Sequence, residues 1–71
     1  MSARWVAARD LEPGDFFVPG YDECAQVEVL TKPALDPDSP QGRWVFQGRD
    51  VDTDRVGTHQ TQPHFTFRVL A

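Results

Sequence analysis

The chain has 71 residues and a mass of 8.0 kDa, enough for one domain with a thin core and too little for a lobed enzyme with a deep cleft. Eleven acids against seven bases give a net charge of −4, which repels a phosphate backbone at long range and disfavours sequence-independent nucleic-acid binding. A single cysteine, Cys24, excludes an internal disulfide and any zinc site closed by cysteines.

Leucine, valine and phenylalanine make up about a quarter of the residues, above the roughly 20% below which disorder prevails. Glycine and proline interrupt the chain so often that few stretches reach the dozen residues a helix needs. Valine and aromatic residues fill the intervals, and a succession of short strands is expected.

The first strand is expected over residues 4–8, around Trp5 and Val6. It runs into Leu11-Glu12-Pro13-Gly14-Asp15. Proline at the second turn position fixes φ near −65° and glycine at the third accepts positive φ, so residues 12–15 read as a type II turn. Phe16-Phe17-Val18 follows as a strand that stops at Pro19-Gly20, its buried face undecided by three apolar residues in a row.

Residues 25–31 alternate, with Ala25, Val27 and Val29 on one face and Gln26 and Glu28 on the other. A helix competes, since Tyr21, Cys24, Val27 and Leu30 recur every three residues and Asp22 suits an N-cap. The two β-branched valines favour the strand.

Residues 32–42 hold three prolines and no periodicity, and are expected to form a long exposed loop. Residues 43–47 read as a strand with Trp44 and Phe46 on one face and Val45 on the other. Gly48 suggests a bulge or sharp bend. Residues 50–55 look like a turn leading to a short strand near 56–60. Residues 65–69 alternate most clearly, aligning Phe65, Phe67 and Val69. The expectation is an all-β chain: one small domain over residues 1–71, an antiparallel barrel or β-roll of five to six short strands.

The order strand, Leu11-x-Pro13-Gly14-Asp15, strand, then Val27-x-Val29 resembles the opening of SH3-like barrels, among them the amino-terminal domain of elongation factor P and the Hint domains of inteins. The resemblance spans about a third of the chain and implies an SH3-like fold. It implies no Hint activity, because the chain is too short and lacks a Cys or Ser nucleophile at the start of that pattern. The lysine-bearing loop of elongation factor P has no counterpart. The preference for Arg over Lys, with many Ala, Val and Asp and no Ile, resembles proteins of high-GC genomes such as actinobacteria or their phages.

Candidate chemistry is sparse. Asp50-x-Asp52-x-Asp54 has the alternate carboxylates of a calcium loop, yet Arg55 stands where that loop needs glycine and Thr61 where it needs a closing glutamate. A solvated turn with aspartates bonded to local amides is the expected reading. His59 and His64 lack a second local ligand pair. Cys24, beside Asp22 and Glu23, has no electropositive setting to activate it, so a buried or half-buried thiol is expected. No catalytic residue, metal site or cofactor is assigned.

Trp5, Trp44, Phe46, Phe65 and Phe67, with Arg43, Arg49 and Arg68, could make a stacking platform for single-stranded nucleic acid. A core this poor in leucine needs most of those rings for itself, Trp5 and Trp44 being the expected exceptions. The favoured function is therefore a non-enzymatic interaction module with a protein partner, contacting it through Arg43, Trp44, Leu35 and Asp36. Single-stranded nucleic-acid binding through the aromatic and arginine face is the alternative. A homodimer through an exposed strand edge is allowed. The first twelve residues hold no apolar stretch typical of a signal peptide, and no run approaches the roughly 20 residues of a membrane span. With so few cysteines, a cytoplasmic location is expected.

Overall fold

The computed structural model describes residues 3–70. Seven strands lie in one antiparallel sheet: β1 (Ala3–Ala7), β2 (Phe16–Val18), β3 (Val27–Val29), β4 (Ala34–Leu35), β5 (Trp44–Asp50), β6 (Val56–Thr61) and β7 (Thr66–Leu70). One 3-10 turn, Ala8–Asp10, is the only helical element among the described residues. The order across the sheet is β1-β7-β2-β3-β5-β4, and β6 pairs with the opposite edge of β5. The all-β antiparallel architecture expected from the sequence is thus observed, with seven strands rather than five or six. The sheet rolls over its core and stays open, because among the described residues β1 pairs only with β7, and β6 only with β5.

The core lies on one face of the roll. Phe17, Phe46 and Phe67 meet edge to face, with ring centroids 4.8 to 5.9 Å apart, and Val6, Leu11, Val27, Val29 and Val69 pack around them. Register explains the selection: Val6 lies opposite Phe67, and Val69 between Arg4 and Phe17, so alternate residues of β1, β7 and β2 reach the same side. Ala25, Val27 and Val29 are buried as their alternation predicts. Strand β3 itself is limited to three residues, since Tyr21 to Gln26 turn through Asp22 N–H to Pro19 O and Ala25 N–H to Asp22 O.

The turn before β2 takes its expected form. Gly14 has φ of +95°, and the Asp15 N–H donates to Glu12 O at 3.0 Å while the Asp15 carboxylate accepts from the Glu12 N–H at 2.9 Å. Lys32 then fastens this corner to the start of the next loop. Its ammonium donates to Arg9 O and Leu11 O at 2.9 Å and to the Glu12 carboxylate at 3.0 Å, using all three protons. The carbonyls at the end of the 3-10 turn are satisfied from 21 and 23 residues away.

Two expectations need correction. Residues 32–42 are largely exposed, but they are not without structure: Ala34 and Leu35 pair with Val45 and Trp44, Asp36 N–H donates to Arg43 O, and Pro33 is buried. The cause is a length mismatch. β5 has seven residues and β3 covers only Gly48 to Asp50, so the chain returns to pair with the uncovered end. Gly48, for its part, makes no bulge. It holds register with Val29 on one side and Gly57 on the other. A Cβ there would stand 2.8 Å from Val27 Cγ1 and 2.9 Å from the His59 ring, so the glycine serves close approach.

Gly48→Ala should therefore overpack the core and cost about 1–3 kcal/mol, seen as a lower urea midpoint at unchanged slope. An unchanged midpoint would mean that the His59 ring yields freely. Lys32→Met, which keeps the stem and removes the three bonds, should cost about 1 kcal/mol in the same assay.

Candidate functional site

Three large aromatic side chains stay outside the core. Trp5 is 70% exposed, Tyr21 76% and Phe65 47%. Each has a local reason. Trp5 follows Arg4 and precedes the buried Val6, so strand alternation turns it away from the core and beside Arg68, its partner on β7. Tyr21 follows the Pro19-Gly20 break that ends β2. Phe65 precedes β7 and packs edge to face on Phe67 at 4.9 Å.

These rings border one groove of about 640 Å³. Its floor is made of Phe17, Phe67 and His59, and its sides of Trp5, Tyr21 and Phe65, with Arg68 and Glu23 as charged members. Gln60 and Thr61 bring in β6, so the groove lies where the roll fails to close between β6 and the strands β7, β1 and β2. A smaller hollow continues along β6 past Val56, Gly57 and Arg55, again against Tyr21 and His59.

His59 joins core and groove. Its ring stacks on Phe46 at 5.2 Å with planes 12° apart and meets Phe17 edge to face at 5.8 Å. Burial lowers its pKa below the ordinary imidazole value. The sequence marked this residue only as a possible metal ligand. Nothing in its spacing shows that the space beside Gly48 is cut to admit an imidazole.

The four residues singled out for partner contact lie together at the β4–β5 hairpin. Leu35 is directly opposite Trp44, and Asp36 donates its N–H to Arg43 O at 2.8 Å. Leu35 is 55% exposed, whereas Trp44 is half-buried against the core. Arg43 reaches the Gln60 side chain at 3.4 Å, and the Asp36 carboxylate accepts from the Asp38 N–H. This end has one large apolar side chain open to solvent and lies outside the groove.

The nucleic-acid platform is divided. Phe46 and Phe67 are buried, and Arg49 is held by Glu28 at 2.8 Å and Asp54 at 2.7 Å, which raise its pKa. Trp5, Phe65 and Arg68 remain together at the groove.

The aspartate turn behaves as a turn. The Asp50 carboxylate accepts from the amides of Asp52 and Thr53, while Asp54, at a φ of +62°, gives its carboxylate to Arg49. Among the described residues no three His, Cys, Asp or Glu side chains gather within reach of one metal ion. Cys24 is exposed, contrary to expectation. Its N–H is tied to the Asp22 carboxylate in a tight turn, and the next residue, Ala25, takes the inward position. Among the described residues no helix is long and apolar enough to cross a membrane.

Comparison with family models, curated proteins and solved structures finds no match to this chain.

The neutral His59 ring gives a pH prediction. Well above the ordinary imidazole value of 6.5, folded and unfolded chains both hold it neutral and stability is full. As pH falls through that value the unfolded chain binds the proton first, and stability declines until the folded ring is protonated too. Urea midpoints should drop as pH falls from about 7.5 through 6.5, and His59→Phe should flatten the drop. Equal slopes for both proteins would show that other groups carry it.

Proposed function

We propose that this chain is a non-enzymatic protein-interaction module built on a small open β-roll, acting in the cytoplasm, and that its partner docks in the aromatic groove. The observation behind this reading is the placement of Trp5, Tyr21 and Phe65 around a single concavity. Large exposed rings on a small domain hold apolar surface in water, and covering them is the principal free energy available for binding. Tryptophan and tyrosine at the centre of a patch are also the side chains that most often dominate an interface. The hairpin of Leu35, Asp36, Arg43 and Trp44 offers less: Trp44 is already partly consumed by the core. It would serve as a secondary contact.

Single-stranded nucleic acid is the second reading, favoured by Trp5 and Phe65 standing beside Arg68. Against it stand the net charge of −4 and the two carboxylates that occupy Arg49.

The chain immobilised through its carboxyl terminus should retain a protein from extract of its native host, and Trp5→Ser with Phe65→Ser should lose it while remaining folded. Retention by the double variant, or none by the original chain, overturns the groove reading. Quenching of tryptophan fluorescence by short single strands, abolished by the same substitutions, would transfer the groove to nucleic acid.

A further inference from the structure

The edge of β6 beside the groove is unusually open for a small β protein. Gln47 of β5 directs its own backbone toward the opposite side, accepting from Leu30 N–H at 2.9 Å and donating to Thr31 Oγ1 at 2.9 Å. In an antiparallel ladder the bonded pairs alternate, so Trp44, Phe46 and Gly48 bond to Thr61, His59 and Gly57. Val56, Thr58 and Gln60 consequently point their N–H and C=O groups away from β5. Among the described residues no backbone group pairs with them. The strand runs six residues in unbroken register, and from Val56 to Thr61 it carries no proline, lysine or carboxylate. The usual devices that blunt an edge are missing.

Charge singles out the same place. Four of the seven basic side chains, Arg4, Arg9, Lys32 and Arg49, have a carboxylate within 4.0 Å. Among the described residues Arg43, Arg55 and Arg68 have none. Arg55 directly precedes β6 and lines the smaller hollow, Arg68 lines the groove, and Arg43 reaches Gln60 on β6. In a chain of net charge −4, the cations without a carboxylate partner thus border β6, the hollow beside it and the groove. Glu23 is the one carboxylate on the groove wall, and Asp50, in the hollow, is bonded to its own turn.

We propose that β6 accepts an added strand: an extended, acidic segment of a partner protein. Its backbone pairs with Val56, Thr58 and Gln60, its apolar side chains enter the groove, and its carboxylates meet Arg55, Arg68 and Arg43. This rests on the groove as docking site and names the chemistry of its occupant. A second copy fits less well. Antiparallel pairing of β6 with itself brings Arg55 of each copy toward the Arg43 end of the other, with no acid from β6 between them. Nucleic acid leaves the alternating donors and acceptors of the edge unanswered, whereas a peptide backbone matches them.

The test uses the whole chain and a fluorescein-labelled decapeptide alternating glutamate with valine, its lysine–valine counterpart, and a ten-nucleotide oligothymidylate. The acidic peptide should bind about tenfold or more tightly than the basic one, with affinity falling as salt rises. Thr58→Pro removes an outward N–H and the side-chain bond from Gln47 but spares the backbone ladder to β5, so it should keep the native circular dichroism and lose at least about tenfold in affinity. Thr58→Val, which loses only the Gln47 bond, should bind as the original chain does. Arg55→Glu with Arg68→Glu should reverse the preference between the two peptides. If Trp5→Ser with Phe65→Ser abolishes binding but Thr58→Pro and the arginine variants do not, strand addition is overturned and the groove stands. If neither peptide binds, if the oligothymidylate binds more tightly, or if sedimentation shows a dimer that Thr58→Pro dissolves, this occupant is wrong.

Discussion

Three phenylalanine rings and one imidazole sustain the curvature of this sheet. Phe17, Phe46 and Phe67 come from β2, β5 and β7, strands that do not all touch, and their edge-to-face packing draws the sheet into a roll. His59 extends the cluster to β6 by stacking on Phe46, and it fits only because Gly48 has no side chain. With the concave side so filled by rings, little apolar material remains to seal the seam between β6 and β7. The groove is the direct result: Phe17, Phe67 and His59 of that cluster line it from the open side.

A polar frame on the other face complements this. Glu28 on β3, Arg49 on β5 and Asp54 in the following turn share one guanidinium, and Gln47 donates to Thr58 across β5 and β6 at 2.7 Å. Both Arg49 bonds to Glu28 land on the same carboxylate oxygen, so the pair is not a two-pronged fork. Its contribution is registration more than energy, because the groups are partly exposed. Lys32 does the same for the opposite corner, tying the 3-10 turn to the entry of the β4 segment.

Much of this was legible in the residue order. Alternation reveals the inward faces of β3, β5 and β7, except that Phe65 falls just before β7 and stays exposed, and Pro13-Gly14 dictates its turn, because both depend on local geometry alone. What the sequence concealed depends on pairing. β4 is two residues between prolines, too short for any periodicity, and exists because β5 outruns β3. Gly48 resembles a bulge until His59 is seen beside it. The same holds for the candidate site: the sequence shows Trp44 only as a tryptophan in a strand, and its burial depends on which neighbours fold over it. Trp5 could be recognised as an outlier only by size, and nothing local indicates that Tyr21 and Phe65 converge on it from distant positions.

Cys24 adds a practical corollary. The chain has one thiol, it faces solvent, and its neighbour Glu23 forms part of the groove wall. A maleimide dye can thus attach at a single, known position a residue away from whatever the groove holds. Its emission would register occupancy in the unaltered polypeptide, with every aromatic and arginine still in place.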